Sequence, residues 1–263
     1  MAQGELQLVS ADIVECRACP RLVEWRERVA RVKVPRFCHE EYWGRPVAGF
    51  GDASARILVL GLAPAANGGN RTGRIFTGDA SADFLFPALH GAGLSNLPTS
   101  TQRGDGLDLR STYITAVNRC APPKDRPTPQ ERDNCLPYLV REIAALEWLR
   151  VIVALGEFAW DGALLALGSL GHKRRPKPRF SHGAEAEVGP YRLLGSFHTS
   201  PHNTNTGKLT PEMLDAVFEC AVELAGLTGL REVDPPLGSV ATAPRPRPAL
   251  GSSGAPGSGR ARG

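Results

Sequence analysis

Between about residues 50 and 226, short unbroken apolar runs alternate with longer stretches in which apolar side chains recur every third or fourth position. Residues 56–60 (Arg-Ile-Leu-Val-Leu) end in Gly61, and residues 151–155 (Val-Ile-Val-Ala-Leu) end in Gly156. Residues 112–117 (Thr-Tyr-Ile-Thr-Ala-Val) and 191–197 (Tyr-Arg-Leu-Leu-Gly-Ser-Phe) complete the set. Runs of this length without a polar face predict strands buried on both sides, as in a parallel sheet. Helical spacing predicts helices over 80–91, from Pro129 toward Trp148, from Gly156 to about Leu167, and from Pro211 to near Gly226. Thr128-Pro-Gln-Glu131 is a capping box with proline at the first helical position, and Thr210-Pro-Glu212 caps the last helix. Pro137 predicts a kink or a late start to the regular part of its helix. The fold class that follows is α/β, a three-layer α/β/α arrangement around a central four-stranded, mainly parallel sheet. Ligands of such sheets bind beyond the carboxyl ends of the strands. No internal repeat is evident.

The 263 residues suffice for one sizeable domain, expected over 1–234. The segment 235–263, dominated by Pro, Gly, Ser, Ala and Arg without apolar periodicity, reads as a disordered tail. No run of eighteen apolar residues predicts a membrane span, and the first dozen residues lack the apolar core of a secretory signal. A soluble, reducing-compartment protein is expected. The formal net charge of +4 lies in the tail, where Arg245, Arg247, Arg260 and Arg262 meet no acidic residue; without them 27 basic residues face 27 acidic ones. Affinity for a polyanion must therefore come from local patches, such as the basic run at 172–179, although a run like this is more commonly a solvated loop.

Six cysteines change the picture. Cys16-x2-Cys19 and, a hundred residues later, Cys120-x14-Cys135 have spacings suited to a four-thiolate site, either a tetrahedral zinc or a cubane iron–sulfur cluster. Such a site would tie the N-terminal segment to the middle of the fold. Cys38 and Cys220 fall outside the pattern and are expected in the core.

Three segments leave predicted strand ends and should converge on one crevice: residues 61–79, 117–120 and 197–207. The first is rich in glycine and asparagine, which lets backbone amides approach a ligand, but it lacks the Gly-Lys-Ser/Thr ending of a P-loop. Within it Arg71 and Arg74 precede Phe76, setting positive charge beside a planar apolar face that suits a stacked base, or that merely fills the core. Asp79 closes the loop where a helix begins, a suitable N-cap and, at the crevice rim, a candidate catalytic carboxylate. In the third segment Pro201 argues against His198 and His202 sharing a helix face as metal ligands, and His198 is placed as a hydrogen-bond donor just past a strand end. Ser200, Asn203 and Asn205 make the rest a polar turn able to reach a phosphate or sugar.

Taken together, the chain resembles the uracil-DNA glycosylase superfamily, specifically its family 5, the iron–sulfur B-type enzymes of bacteria and archaea. The resemblance is carried by Gly-Leu-Ala-Pro-Ala-Ala at 61–66, Asn-Arg-Thr-Gly-Arg-Ile-Phe-Thr-Gly-Asp at 70–79, Asn-Arg-Cys-Ala-Pro-Pro at 118–123, His-Thr-Ser-Pro-His-Asn-Thr-Asn-Thr-Gly at 198–207 and the four-cysteine spacing. It covers roughly residues 16–226.

What the resemblance implies is a monofunctional DNA glycosylase of base excision repair. Cys16, Cys19, Cys120 and Cys135 would hold a structural 4Fe–4S cluster. Ala63, Phe76, Asn118 and His198 would form the base pocket: Phe76 stacks on the everted base, Asn118 bonds its Watson–Crick edge, and His198 donates to the pyrimidine O2. The loop 200–206 would wedge into the duplex, with Arg71, Arg74, Ser200, Asn203 and Asn205 toward DNA. The related family 4 carries an acidic residue after Gly-x-Ala-Pro and family 1 an activating aspartate, but this chain has Ala65 and Ala66. Asp79 is therefore expected to position water, and the apolar first motif to admit hypoxanthine, xanthine or ethenocytosine beside uracil. The implied partner is DNA containing deaminated bases, double-stranded or single-stranded. A cytoplasmic, nucleoid-associated monomer with no membrane contact is expected. The competing class is a non-catalytic iron–sulfur protein that binds DNA and senses damage.

Overall fold

The structure is a computed structural model that describes residues 2–228, all within one compact unit. The expected tail at 235–263, and with it the boundary at 234, lies outside the described residues. The chain opens with α1 (Ala2–Val14) and α2 (Pro20–Val32), followed by β1 (Phe50–Gly51), β2 (Ile57–Gly61), α3 (Gly69–Thr72), α4 (Ala80–Gly91), β3 (Thr112–Ala116) and α5 (Pro129–Ala145). It continues with β4 (Val151–Leu155), α6 (Glu157–Ser169), β5 (Glu185–Val188), β6 (Tyr191–Ser196), α7 (Pro201–Asn205) and α8 (Pro211–Leu224).

The six strands form one mixed sheet in the order β1-β3-β2-β4-β6-β5. Its four central strands run parallel, with Ile57 registered against Thr112 on one side and Val151 on the other. These are the four apolar runs. Two short antiparallel edges, β1 and β5, extend the expected four strands to six.

Within each apolar run, alternate residues face opposite layers, as a period of two requires. Ile57, Val59, Val151 and Val153 pack with Leu85 and Phe86 of α4 and Leu214 and Phe218 of α8. Leu58, Leu60, Ile152 and Ala154 pack with Leu6 of α1, Leu139 and Ile143 of α5, and Trp160 and Ala163 of α6. The three-layer α/β/α architecture follows. The Thr128 capping box forms in both directions, and Pro137 lies inside one continuous helix that ends at Ala145, short of Trp148. Among the described residues no helix is long and apolar enough to cross a membrane.

Two cysteines differ from expectation. Cys38 is exposed, because it follows a single turn of 3-10 helix at Pro35–Phe37 on the surface. Cys220 is only partly buried, because it lies beside rather than on the buried stripe of Leu214, Val217, Phe218 and Ala221.

Candidate functional site

The loops that follow β2 and β6 meet at the carboxyl end of the sheet and enclose a cleft of about 620 Å³. Ala63, Phe76, Asp79, His198 and Ser200 all line it. Ala65, Ala66 and Gly68 supply a small-residue wall.

Phe76 is buried and adopts a left-handed backbone, φ 48°. A bulky residue is rarely found there, and such strain concentrates where surrounding structure holds a side chain for a purpose. Its ring lies over the end of β2 so closely that a Cβ on Gly61 would come within 2.7 Å of Phe76 Cζ. The His198 ring is 6.2 Å from it, centroid to centroid, tilted by 35°.

Asp79 is the N-cap of α4: its Oδ1 accepts from Ser81 N and Ala82 N, both at 3.0 Å. Desolvation raises its pKa above the usual carboxylate range, and the two backbone donors oppose that shift. The capping role thus occupies one oxygen; the other, Oδ2, faces Gly68 in the cleft wall.

His198 lies two residues past the end of β6. Burial pushes its pKa down to about 4, so the imidazole is neutral at ordinary pH. Asn203 Nδ2 donates to the His198 carbonyl at 2.8 Å, which fixes the backbone that carries the ring. The segment read as a polar turn is in fact α7, a short helix with Ser200 at its N-cap; Asn205 is exposed at its far end.

Asn118 lies fully buried behind the lining, its backbone N–H bonded to Leu62 O. Its Nδ2 donates to Glu131 O at 3.0 Å, whereas Oδ1 is buried with no partner. A buried acceptor without a donor is costly, so this oxygen is set up to receive one.

Arg71 and Arg74 are not brought to the cleft. Arg71 is buried, donates to Asn67 O, Gly78 O and Glu40 Oε2, and lies 3.8 Å over the Phe37 ring. Arg74 donates to Thr77 Oγ1, Ser100 Oγ and Asp105 Oδ2. Guanidiniums so fully engaged shape the loop instead of facing phosphate, contrary to the expectation from sequence. Arg36 and Asp125 do line the cleft, though their sequence signal is faint, a charged residue close to a proline in each case. Asp125 follows Lys124, and both have φ 54°.

The four thiols come from four places: Cys16 just past α1, Cys19 as the N-cap of α2, Cys120 after β3, and Cys135 inside α5. All are free, and all but Cys16 are buried. Among the described residues, no three His, Cys, Asp or Glu side chains are gathered around a point for a single metal ion. The donor set nonetheless suits thiolate ligands. Arg26 NH1 donates to Cys120 Sγ at 2.9 Å, and Asn134 Nδ2 to Cys19 Sγ at 3.4 Å. Burial pushes the pKa of the metal-free Cys120 and Cys135 thiols up to about 12 and about 11, with Arg26 pulling Cys120 back. Nothing in the sequence around Arg26 marks it for this role. It is almost fully buried, and its carbonyl accepts from Asn70 Nδ2 at 3.2 Å. Asn70 N in turn donates to Ala65 O, so one chain of bonds joins the thiol region to the cleft wall.

A family model described as the Uracil DNA glycosylase superfamily matches residues 48–221. Among curated proteins, a type-5 uracil-DNA glycosylase of Mycobacterium tuberculosis is 53% identical over 226 residues, covering 85% of this chain and 83% of the relative. Type-5 uracil-DNA glycosylases of Thermus thermophilus and Pyrobaculum aerophilum are 52% and 48% identical, covering 82% and 81% of this chain and 96% and 91% of their own. A type-4 uracil-DNA glycosylase of Archaeoglobus fulgidus is 36% identical over 114 residues, 43% of this chain.

Proposed function

Because the chain belongs to the uracil-DNA glycosylase superfamily, among its type-5 members, we propose that it excises uracil from DNA and leaves an abasic site. The observation that carries this reading is the meeting of Phe76, Asp79 and a neutral His198 in one cleft. A glycosylase reaches C1′ only after the nucleotide leaves the stack, at a cost of a few kcal/mol that a mispaired base meets most easily.

The everted base stacks on Phe76. Asn118 Oδ1, a buried acceptor without a donor behind the cleft lining, takes the N3–H of uracil once the entering base displaces the residues that cover it. Cytosine has an acceptor at N3 and would set two lone pairs against each other. As the C1′–N1 bond breaks, the electron pair goes to the base. Neutral His198 then donates a hydrogen bond to O2, where the negative charge collects, and stabilises the transition state more than the ground state. Asp79 Oδ2 holds the water that bonds to C1′ and receives its proton; its raised pKa suits a base. Among the described residues no lysine lines the cleft, so Schiff-base lyase chemistry is not expected.

The alanines at 65 and 66 leave the wall short, which supports acceptance of hypoxanthine, xanthine or ethenocytosine beside uracil. Ser200 at the cleft and exposed Asn205 favour α7 as the wedge entering the duplex. DNA carrying deaminated bases, in double- or single-stranded form, is the proposed substrate, and the cytoplasm of a bacterium or archaeon the proposed location. Cys16, Cys19, Cys120 and Cys135 would hold a 4Fe–4S cluster, whose contribution is to fasten segments of the chain rather than to act on the base. The N–H donors on Cys19 and Cys120 Sγ support that assignment.

The test is excision from duplexes carrying each of these bases, read as alkali-labile cleavage by wild type and by Asp79→Asn. Cleavage at uracil that collapses in the variant is expected. No cleavage at any deaminated base would overturn the reading in favour of a DNA-binding protein without catalysis.

A further inference from the structure

A second groove, of about 870 Å³, runs along α6 on the face away from α4 and α8. Its floor is Leu164, Leu165 and Gly168. Its walls carry Arg132, Lys173, Arg174, Arg175 and Lys177 against one carboxylate, Asp161, which Lys177 already holds at 2.8 Å. Arg132 pairs with Asp133 and Arg174 donates to Glu187 O, whereas Lys173 and Arg175 have no hydrogen-bond or ion-pair partner among the described residues. In a body whose charges balance overall, five cations against one carboxylate make this groove a local positive patch that an anion would complement.

The upper end of the groove adjoins the elements that build the cleft. Arg132 follows Glu131, whose carbonyl holds Asn118. α6 starts after Gly156, where an added Cβ would touch His198 Cβ at 3.5 Å. The part of α6 that lines the groove, from Asp161 to Ser169, extends about 13 Å, a length over which one DNA strand carries roughly four phosphates. The arginine-bearing tail of this chain, with no acidic residue, has the wrong sign to fill the groove.

We propose that the groove along α6 is a second DNA-contact surface that follows the phosphates flanking the lesion, with Lys173 and Arg175 as its free cations. The proposal rests on the glycosylase reading. Its occupant is DNA and not an acidic peptide, because the groove borders elements already committed to a polyanion.

The experiment uses the full chain and the double variant Lys173→Ala/Arg175→Ala, with uracil centred in duplexes of two lengths, one of about one helical turn and one of about three. kcat/KM is measured against salt concentration. On the long duplex the log–log salt slope is expected to become shallower by about 2, since each phosphate that a cation neutralises adds about 0.9 to it. On the short duplex, which ends before the groove, wild type and variant are expected to agree. An unchanged slope on the long duplex overturns the proposal, and leaves an acidic peptide as the groove's occupant. An equal effect on both lengths also overturns it, because the cations would then act at the cleft. If wild type excises uracil from neither duplex, the function reading fails, an outcome distinct from both.

Discussion

Asp79 and Gly68 share a space that admits only one of their side chains: a Cβ on Gly68 would lie 1.9 Å from Asp79 Oδ2. The carboxylate oxygen left free by the cap is therefore held against a bare α-carbon in the cleft wall. Gly68→Ala is expected to displace the carboxylate and lower excision at least tenfold while the chain still folds. Unaltered activity in that variant would show that Oδ2 needs no fixed position.

Asp79→Asn separates the two roles of this residue. Asparagine caps a helix about as well as aspartate, so the melting temperature should scarcely move. Loss of the base should lower kcat by roughly 100- to 10,000-fold. A variant that loses stability and activity in step would point to a cap alone.

His198 gives a pH signature. Its folded pKa of about 4 lies below the ordinary 6.5, so the unfolded chain binds the proton more tightly. Stability from this residue is complete above 6.5 and is lost as pH falls toward 4, on the order of 3 kcal/mol in all. His198→Gln, which cannot charge, should be less sensitive to acid in urea unfolding at pH 7 and pH 4.5. Excision by wild type should show no rise or fall near pH 6.5 attributable to this imidazole.

The bonds from Cys120 through Arg26 to Asn70 predict that the two regions respond together. Arg26→Gln should purify with less visible absorbance per protein and with faster amide exchange at Asn70 and Gly73; Arg26→Lys should restore part of both. Pale protein with unchanged exchange would break the link.

Arg119 and Glu142 form a fully buried ion pair, NH2 to Oε2 at 2.6 Å, that also engages Thr115. Glu142→Leu should cost about 3–5 kcal/mol in urea unfolding, because it strands a buried charge. Adding Arg119→Met should recover most of that loss.

The centre of the fold was legible because its strands are covered on both faces and so contain little but apolar residues. β1, with two residues, is too short to show a period, and β5, Glu-Ala-Glu-Val, alternates over four residues only, too few to stand out from a loop. The cleft residues Phe76, Asp79 and His198 stood out as chemistry-bearing side chains just past strand ends. Arg71 and Arg74 misled because a sequence shows a charge but not its partners, which here come from Glu40 and Asp105, some thirty residues away in the chain. Arg26 was hidden for the same reason, being one arginine in an amphipathic helix whose bond to Cys120 spans most of a hundred positions.

That separation also orders events during synthesis. Cys16 and Cys19 emerge from the ribosome about a hundred residues before Cys120 and Cys135, and Arg21 before its partner Glu131. Cys135 and Glu131 arrive only with α5, so the N-terminal segment meets β2 and the 61–79 loop first, and the proposed cluster would be a late fastening and not a nucleus for folding. The cleft wall, tied through Asn70 to the Arg26 carbonyl of α2, draws on residues that are all made before α5, so it can be secured ahead of that fastening.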